Sequence, residues 1–219
     1  MCGRLSQSHL ERMRLLTDIA GQLIYTPHYN IPPSSNIVAI RQTPEGNLEW
    51  ATFYWGLIPS WAKDKKFGYK TFNAKAETVA QKPAFRNAFR RQRCIIPADG
   101  FYEWRTDNGK KQPFYVRNPD DKPLLIAGLW EHWEHEGEII ESCTIITTDA
   151  NDLIRAIHTR MPVILTTADW PIWLDNKVQD IQQLQPLLKP YPGNLLTYKV
   201  DPRMNSPRYD DPSCTEKID

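Results

Sequence analysis

The sequence predicts an α+β fold: a single domain of mixed, mostly antiparallel β-sheets, sandwich- or barrel-like, with helices at the periphery. Three observations lead there. Runs rich in β-branched and aromatic residues dominate the middle of the chain and are separated by turn signals such as "PEGN", "TDNGKK" and "NPDDKP". Stretches with helical character sit near the edges of that strand-rich region. No repeat, low-complexity linker or break in composition divides the 219 residues, so one domain is expected over 1–219.

The elements follow in order. "SHLERMRLLTDIA" reads as a helix, with Ser8 and Glu11 at capping-box spacing and Leu10, Met13 and Ile19 on one apolar stripe. "YTPHYNIPPSSN" is a Pro-rich loop. "IVAIRQ" and "LEWATFYWG" flank "PEGN" and read as a hairpin. "FRNAFRRQR" has its arginines at helical spacing. "RCIIPADGFYEWR", "PFYVRN", "PLLIAGLWEHW" and "EIIESCTIITT" are the next strands. "DANDLIRAI" reads as a short helix capped by Asp149. "MPVILT" is a buried strand, "TADWPIWL" and "VQDIQQLQPLLK" are short helices, and "NLLTYKV" is the last strand.

Composition narrows the function classes. At 41% hydrophobic and 24% charged the chain suits a globular core. No apolar run approaches a bilayer span, and the start lacks the apolar stretch of a signal peptide. A cytoplasmic location is expected, nuclear if the source is eukaryotic. Cys2, Cys94, Cys143 and Cys214 are scattered without C-x-x-C pairing, which argues against a zinc site and a disulfide framework. Cys94 and Cys143 sit in strand-like apolar runs and read as inert core thiols. "HWEH" at His132–His135 lacks a third ligand, so no metal and no cofactor is expected.

The net charge of +1 conceals polarity along the chain. Lys63 to Arg93 carries ten Lys/Arg against two Asp/Glu, whereas Glu131 to Asp152 carries seven Asp/Glu and no Lys/Arg. Solvated faces explain such runs, and so does a basic side that meets an anionic partner. Within the basic run, Lys63, Lys65, Lys66, Lys70 and Lys75 interleave with Trp61, Phe67, Tyr69 and Phe72. Cations for phosphates and flat rings for bases are what single-stranded nucleic acid binding needs. A loop with its aromatics tucked inward gives the same pattern.

Cys2 follows the initiator methionine, in a context where aminopeptidases are expected to remove Met1. The processed chain then carries an α-amine and a thiol on adjacent carbons. Ordinary pKa values near 8 and 8.5 leave useful fractions of both unprotonated at neutral pH. The amine condenses with an aldehyde to an imine, and the thiol closes it to a thiazolidine. An ordinary cysteine at the second position remains the alternative. Glu103 lies between Tyr102 and Trp104, where desolvation would lift its pKa toward the acid/base range, or on the polar face of a strand. His158 and Arg160 in "IHTRMP" offer a proton shuttle and a phosphate contact.

The ordered set "MCGR", "YNIPPS", "WGLIPSW", "NAKAET", "ADGFYEW", "KKQPFY", "TTDAN", "IHTRMP" and "DDPSC" resembles the SRAP family (SOS response-associated peptidase), sensors of abasic sites that crosslink to damaged DNA. The resemblance covers nearly the whole chain. It implies a partner, single-stranded DNA bearing abasic sites, in a DNA-damage response, and a covalent thiazolidine on Cys2. It makes Cys2, Asn73, Glu103 and His158 the catalytic residues: nucleophile, neighbour of the lesion, proton manager, and helper of sugar ring opening and crosslink release. It places Arg4, Trp61, Lys75 and Arg160 on the DNA, with Pro59 and Leu57 helping Trp61 shape a kinked strand. Lys75 stands where many members carry arginine, which would make that phosphate contact less oriented. The family's peptidase label fits removal of whatever precedes the cysteine. A monomer is expected.

Two other classes compete. Glutamine amidotransferases also begin Met-Cys-Gly, but the R-G-P-D-type stretch and the Asn-rich loop that accompany it are missing here. A non-catalytic DNA-binding module would use the basic aromatic stretch alone.

Overall fold

A computed structural model describes residues 2–15, 19, 22–107 and 109–219, and two β-sheets organise it. Strand β1 (Leu5–Gln7) follows Cys2 and pairs antiparallel with β2 (His28–Ile31). β3 (Asn36–Gln42) and β4 (Leu48–Trp55) form the expected hairpin, with Gly46 at φ +94° in its turn. Then come β5 (Asn73–Lys75), helix α1 (Arg86–Arg91), β6 (Arg93–Ala98), β7 (Gly100–Asp107), β8 (Lys110–Arg117), β9 (Leu124–His135) and β10 (Glu138–Asp149). The order closes with α2 (Asp152–Arg155), β11 (Arg160–Pro162), α3 (Asp169–Leu174), α4 (Ile181–Leu184) and β12 (Leu196–Lys199).

Five strands close a barrel in the order β4-β3-β6-β9-β10, because β10 pairs antiparallel with β9 and parallel with β4. Closure removes the sheet edges that would otherwise invite pairing. Each barrel strand contributes to one apolar cluster: Ile37, Phe53, Ile96, Ile126 and Ile145 are all fully buried there. Each such side chain is worth roughly 1.5–3 kcal/mol of burial. Cys2, Leu5 and Phe101 belong to the same cluster, so the second sheet packs on the barrel. That second sheet is antiparallel, in the order β12-β8-β7-β1-β2. The α+β, mostly antiparallel, barrel-containing architecture is thus the one predicted.

Gln7 stitches the two units. Its Nε2 donates to Val38 O and Pro97 O at 2.8 and 2.7 Å, and its Oε1 accepts from Val38 N at 2.9 Å. "RCIIPADGFYEWR" is not one strand: it breaks at Asp99, with β6 in the barrel and β7 in the other sheet. Asp99 Oδ2 accepts from Ser8 N and Ser8 Oγ at 2.5 and 2.7 Å, which fixes the corner. Gly100 is required next to it, since a Cβ there would lie 2.4 Å from the Tyr115 ring.

Three readings need correction. The first helix is a 3₁₀ segment over Leu10–Leu15, and Ser8 bonds Asp99 rather than capping it; residues 16–18, 20 and 21 of the expected helix lie outside the described residues, as does Asn108 of "TDNGKK". The cap of α2 is Asn151, whose side chain accepts from Ile154 N, while Asp149 pairs with Arg160. Arg93 is fully buried, not part of a solvated or DNA-facing row. No helix among the described residues is long and apolar enough to cross a membrane.

Candidate functional site

The two sheets bring the predicted residues to one place. Cys2 leads into β1 and Glu103 lies in β7, neighbours in the second sheet. Asn73 starts β5, and His158 lies two residues before β11. Both strands flank the far end of β10: Ile145 is opposite Asn73, and Thr147 is opposite both Lys75 and Pro162. The Asn73 side chain bridges the units, donating from Nδ2 to Cys2 O at 2.7 Å. Its Oδ1 is buried and has no hydrogen-bond donor among the described residues.

Burial dominates the electrostatics. Cys2 is fully buried, and desolvation pushes its thiol far above the ordinary value; the nearby Glu103 carboxylate adds to this. Glu103 is 1% exposed and its pKa rises to about 7, because burial disfavours the carboxylate. Alternation along β7 would have allowed Glu103 an outward position, yet both it and Tyr102 are buried; the Tyr102 hydroxyl donates to Tyr29 O at 2.6 Å. The Nδ1 of His158 is 3.8 Å from Glu103 Oε2 and accepts from Arg160 N at 3.0 Å. Partial burial lowers the His158 pKa, favouring neutral imidazole. A carboxyl titrating near neutrality 3.8 Å from a neutral imidazole has the pKa and proximity that proton exchange needs.

The expected DNA contacts separate into three kinds. Trp61 is 55% exposed and meets Phe67 edge-on at 5.3 Å. Its loop is anchored from below: Ile58 N donates to Ser142 Oγ at 2.8 Å, and Trp133 Nε1 donates to Ala62 O at 2.7 Å. Leu57 and Pro59 are buried supports. Gly56, at φ +153°, lies so close to Gly68 that a Cβ would be 2.6 Å from Gly68 O, so the loop leaves the barrel by a route only glycine permits. Lys75 is exposed and shares a face of β5 with Asn73, with Ala74 turned inward.

Arg160 is only 15% exposed and holds a fixed orientation. Its guanidinium pairs with Glu77 Oε1 and Oε2 at 2.7 and 3.0 Å, with Asp149 Oδ1 at 2.7 Å, and with Thr147 O at 2.7 Å. Arg4 is buried. Its Nη1 donates to Asn30 Oδ1 at 2.6 Å and to Met204 O at 3.0 Å, with the guanidinium over the Trp104 ring. A side chain so committed holds the Cys2 strand against the C-terminal segment. Sequence reasoning missed Glu77 and Asp149 as partners of Arg160, and Asn30 as the residue that joins Arg4 to Met204. The signal for Asn30 was present in "YNIPPS" and "DDPSC", since Asp210 Oδ1 accepts from Asn30 N at 3.0 Å.

Known proteins resemble this chain in sequence and in fold. The family model described as SOS response associated peptidase (SRAP) matches residues 1–207. Abasic site processing protein YoqW of Bacillus subtilis is 45% identical over 195 residues, covering 88% of this chain and 87% of its own. Abasic site processing protein HMCES of Xenopus tropicalis is 32% identical, covering 89% of this chain and 67% of its own. A crystal structure from Bacteroides thetaiotaomicron superposes with a TM-score of 0.86 at 28% identity over 99% of this chain and 100% of that one. One from Bordetella bronchiseptica reaches 0.78 at 32% identity, over 92% and 100%. With a family model spanning nearly its whole length, relatives at up to almost half identity and a shared fold, this chain belongs to the SRAP family of abasic site processing proteins.

Proposed function

We propose that this protein, once Met1 is removed, captures abasic sites in single-stranded DNA as a thiazolidine on Cys2. The observation that carries the reading is the convergence of Asn73, Glu103 and His158 on residue 2 from two separate sheets. The Cys2 α-amine adds to the aldehyde carbon of the ring-opened sugar, and loss of one water gives the imine. The thiol sulfur then bonds to the same carbon, and its proton passes to the nitrogen. The C=O is replaced by C–N and C–S bonds, and one water leaves. Ring closure removes the iminium that would drive β-elimination and strand cleavage, which shields the lesion.

The residues divide the work. Glu103, half-protonated near pH 7, moves the protons that imine formation and ring closure require. His158 assists sugar opening and the reverse reaction. Asn73 fixes the Cys2 backbone, and its Oδ1 is an acceptor for a sugar hydroxyl. Trp61 offers a stacking surface and Lys75 faces the phosphates, while Arg160, already paired with Glu77 and Asp149, orders the edge of the site. Arg4 positions the strand.

Intact-mass measurement with an abasic oligonucleotide tests the reading. The expected product is the chain without Met1 plus the DNA minus one water. A processed chain whose mass does not change overturns it; glutamine hydrolysis without an adduct would favour the amidotransferase alternative, and reversible binding without an adduct would leave a binding module.

The Glu103 carboxyl also makes a pH prediction. It keeps its proton to about 7 in the fold but loses it in the low fours when unfolded. Between those values the folded state binds more protons, so its contribution to stability falls as pH rises, by up to roughly 3 kcal/mol. Glu103→Gln is expected to flatten the fall in urea-derived stability from pH 5 to 8, and to erase the inflection near pH 7 in the rate of adduct formation. An unchanged inflection would assign that proton transfer to another group.

A further inference from the structure

A cleft of about 570 Å³ lies beside α1, apart from the Cys2 centre, none of whose residues lines it. Its walls carry Arg86, Arg90 and Arg91, with Ser60, Gln92 and Glu131 completing it. The three arginines are exposed, and among the described residues none of their guanidiniums has a hydrogen bond or ion pair. Arg41, Arg105, Arg117 and Arg160 each hold a carboxylate. Three adjacent uncompensated guanidiniums in a concave surface repel one another, and an anion relieves that. Arg86 and Arg90 are one helical turn apart, about 6 Å along the axis, and so follow one strand of charge. Glu131 also lines the cleft but is buried, and one carboxylate against three arginines leaves the site with net positive charge.

Continuity supplies the partner. Ser60 lines the cleft and the next residue is Trp61, whose exposed ring is the expected base-stacking surface. Ser60 and Glu131 line the same cleft, so the Trp61 loop borders it. Arg93, two residues past the end of α1, bonds the carbonyls of Phe89 and Arg90 in its last turn. The exposed ring of Trp61 thus follows directly on a residue of the cationic cleft, and a flat ring next to a row of cations is the pairing that a single strand of DNA requires.

We propose that the Arg86–Arg90–Arg91 cleft grips the phosphate backbone of the single-stranded DNA that flanks the base at Trp61, as an arm of the binding surface separate from the covalent centre. The proposal rests on the DNA reading above. The test is the salt dependence of binding to an undamaged 20-nucleotide single strand, a length of about 20 chosen to exceed one stacking site. Each phosphate neutralised contributes about −0.7 to the slope of log K against log salt. Replacing all three residues (R86Q/R90Q/R91Q) is expected to lower the slope by about 2 and to weaken binding about 40-fold at 0.15 M salt. Arg90→Gln alone is expected to lower it by about 0.7, which keeps the test valid if the triple variant folds poorly. Adduct yield with saturating abasic DNA stays at the wild-type level. Unchanged slopes in both variants, with the adduct intact, overturn the cleft and spare the covalent reading. A reduced slope in a protein that never forms the adduct supports the cleft and overturns the covalent reading.

Discussion

Replacing Cys2 by serine is expected to eliminate the adduct with abasic single-stranded DNA that survives a denaturing gel, a loss of about 100-fold or more. The α-amine remains, so imine formation remains. What disappears is the sulfur that closes the ring, and a serine hydroxyl, with a far higher pKa, is a poor substitute. The imine then reverts or eliminates under denaturing conditions. Because Cys2 is fully buried in an apolar cluster, the isosteric serine costs the fold little beyond about 1 kcal/mol for an awkward hydroxyl. Non-covalent affinity for intact DNA, measured by fluorescence anisotropy, is expected to hold, since Trp61, Lys75 and Arg160 are untouched. A stable serine adduct would contradict the thiazolidine directly. Loss of both adduct and binding would mean that Cys2 acts on the structure of the site rather than on the sugar.

The second large effect is on stability. Arg93 is fully buried and uses every N–H it has. Nε donates to Trp173 O at 2.5 Å; Nη1 to Phe89 O and Arg90 O at 3.2 and 2.6 Å; Nη2 to Asp175 O and Val178 O at 2.6 and 2.9 Å. Burial lowers its pKa to about 10, still charged at neutral pH. Four of the acceptors lie at the ends of α1 and α3, where carbonyls lack helical partners and carry partial negative charge, and Val178 O belongs to the loop after α3. Arg93→Ala strands all five acceptors in a dry interior and is expected to cost on the order of 4 kcal/mol or more, about 10 °C in melting temperature. Arg93→Lys keeps the charge but not the fork, and should fall between. A loss below about 1 kcal/mol in urea titrations would show that water replaces the guanidinium without penalty.

Much of this architecture was legible because strand periodicity is local. The β3–β4 hairpin could be read from the two apolar runs around "PEGN", β9 from its apolar and aromatic run, and β10 from its β-branched one. The failures have local causes too. Asp149 and Asn151 are equally good caps by type, and only the contact with Arg160 removed Asp149. The break at Asp99 did carry a local sign, the Asp99-Gly100 pair that marks turns, but only pairing reveals that its two halves serve different sheets. Arg93 looked like its surface neighbours, since three of the five carbonyls that hold it, those of Trp173, Asp175 and Val178, come from 80 to 85 residues later in the chain.

The sequence by itself determined the chemistry on offer: a cysteine at the second position, an ordered series of family motifs, and a cationic, aromatic stretch. These are properties of residue types and their order. Tertiary structure alone decided which groups meet and in what charge state, because proximity and desolvation belong to folded space. It lifted Glu103 toward neutrality, committed Arg4 and Arg93 to internal partners, tied Arg160 to Glu77, and left Arg86, Arg90 and Arg91 uncompensated in one cleft.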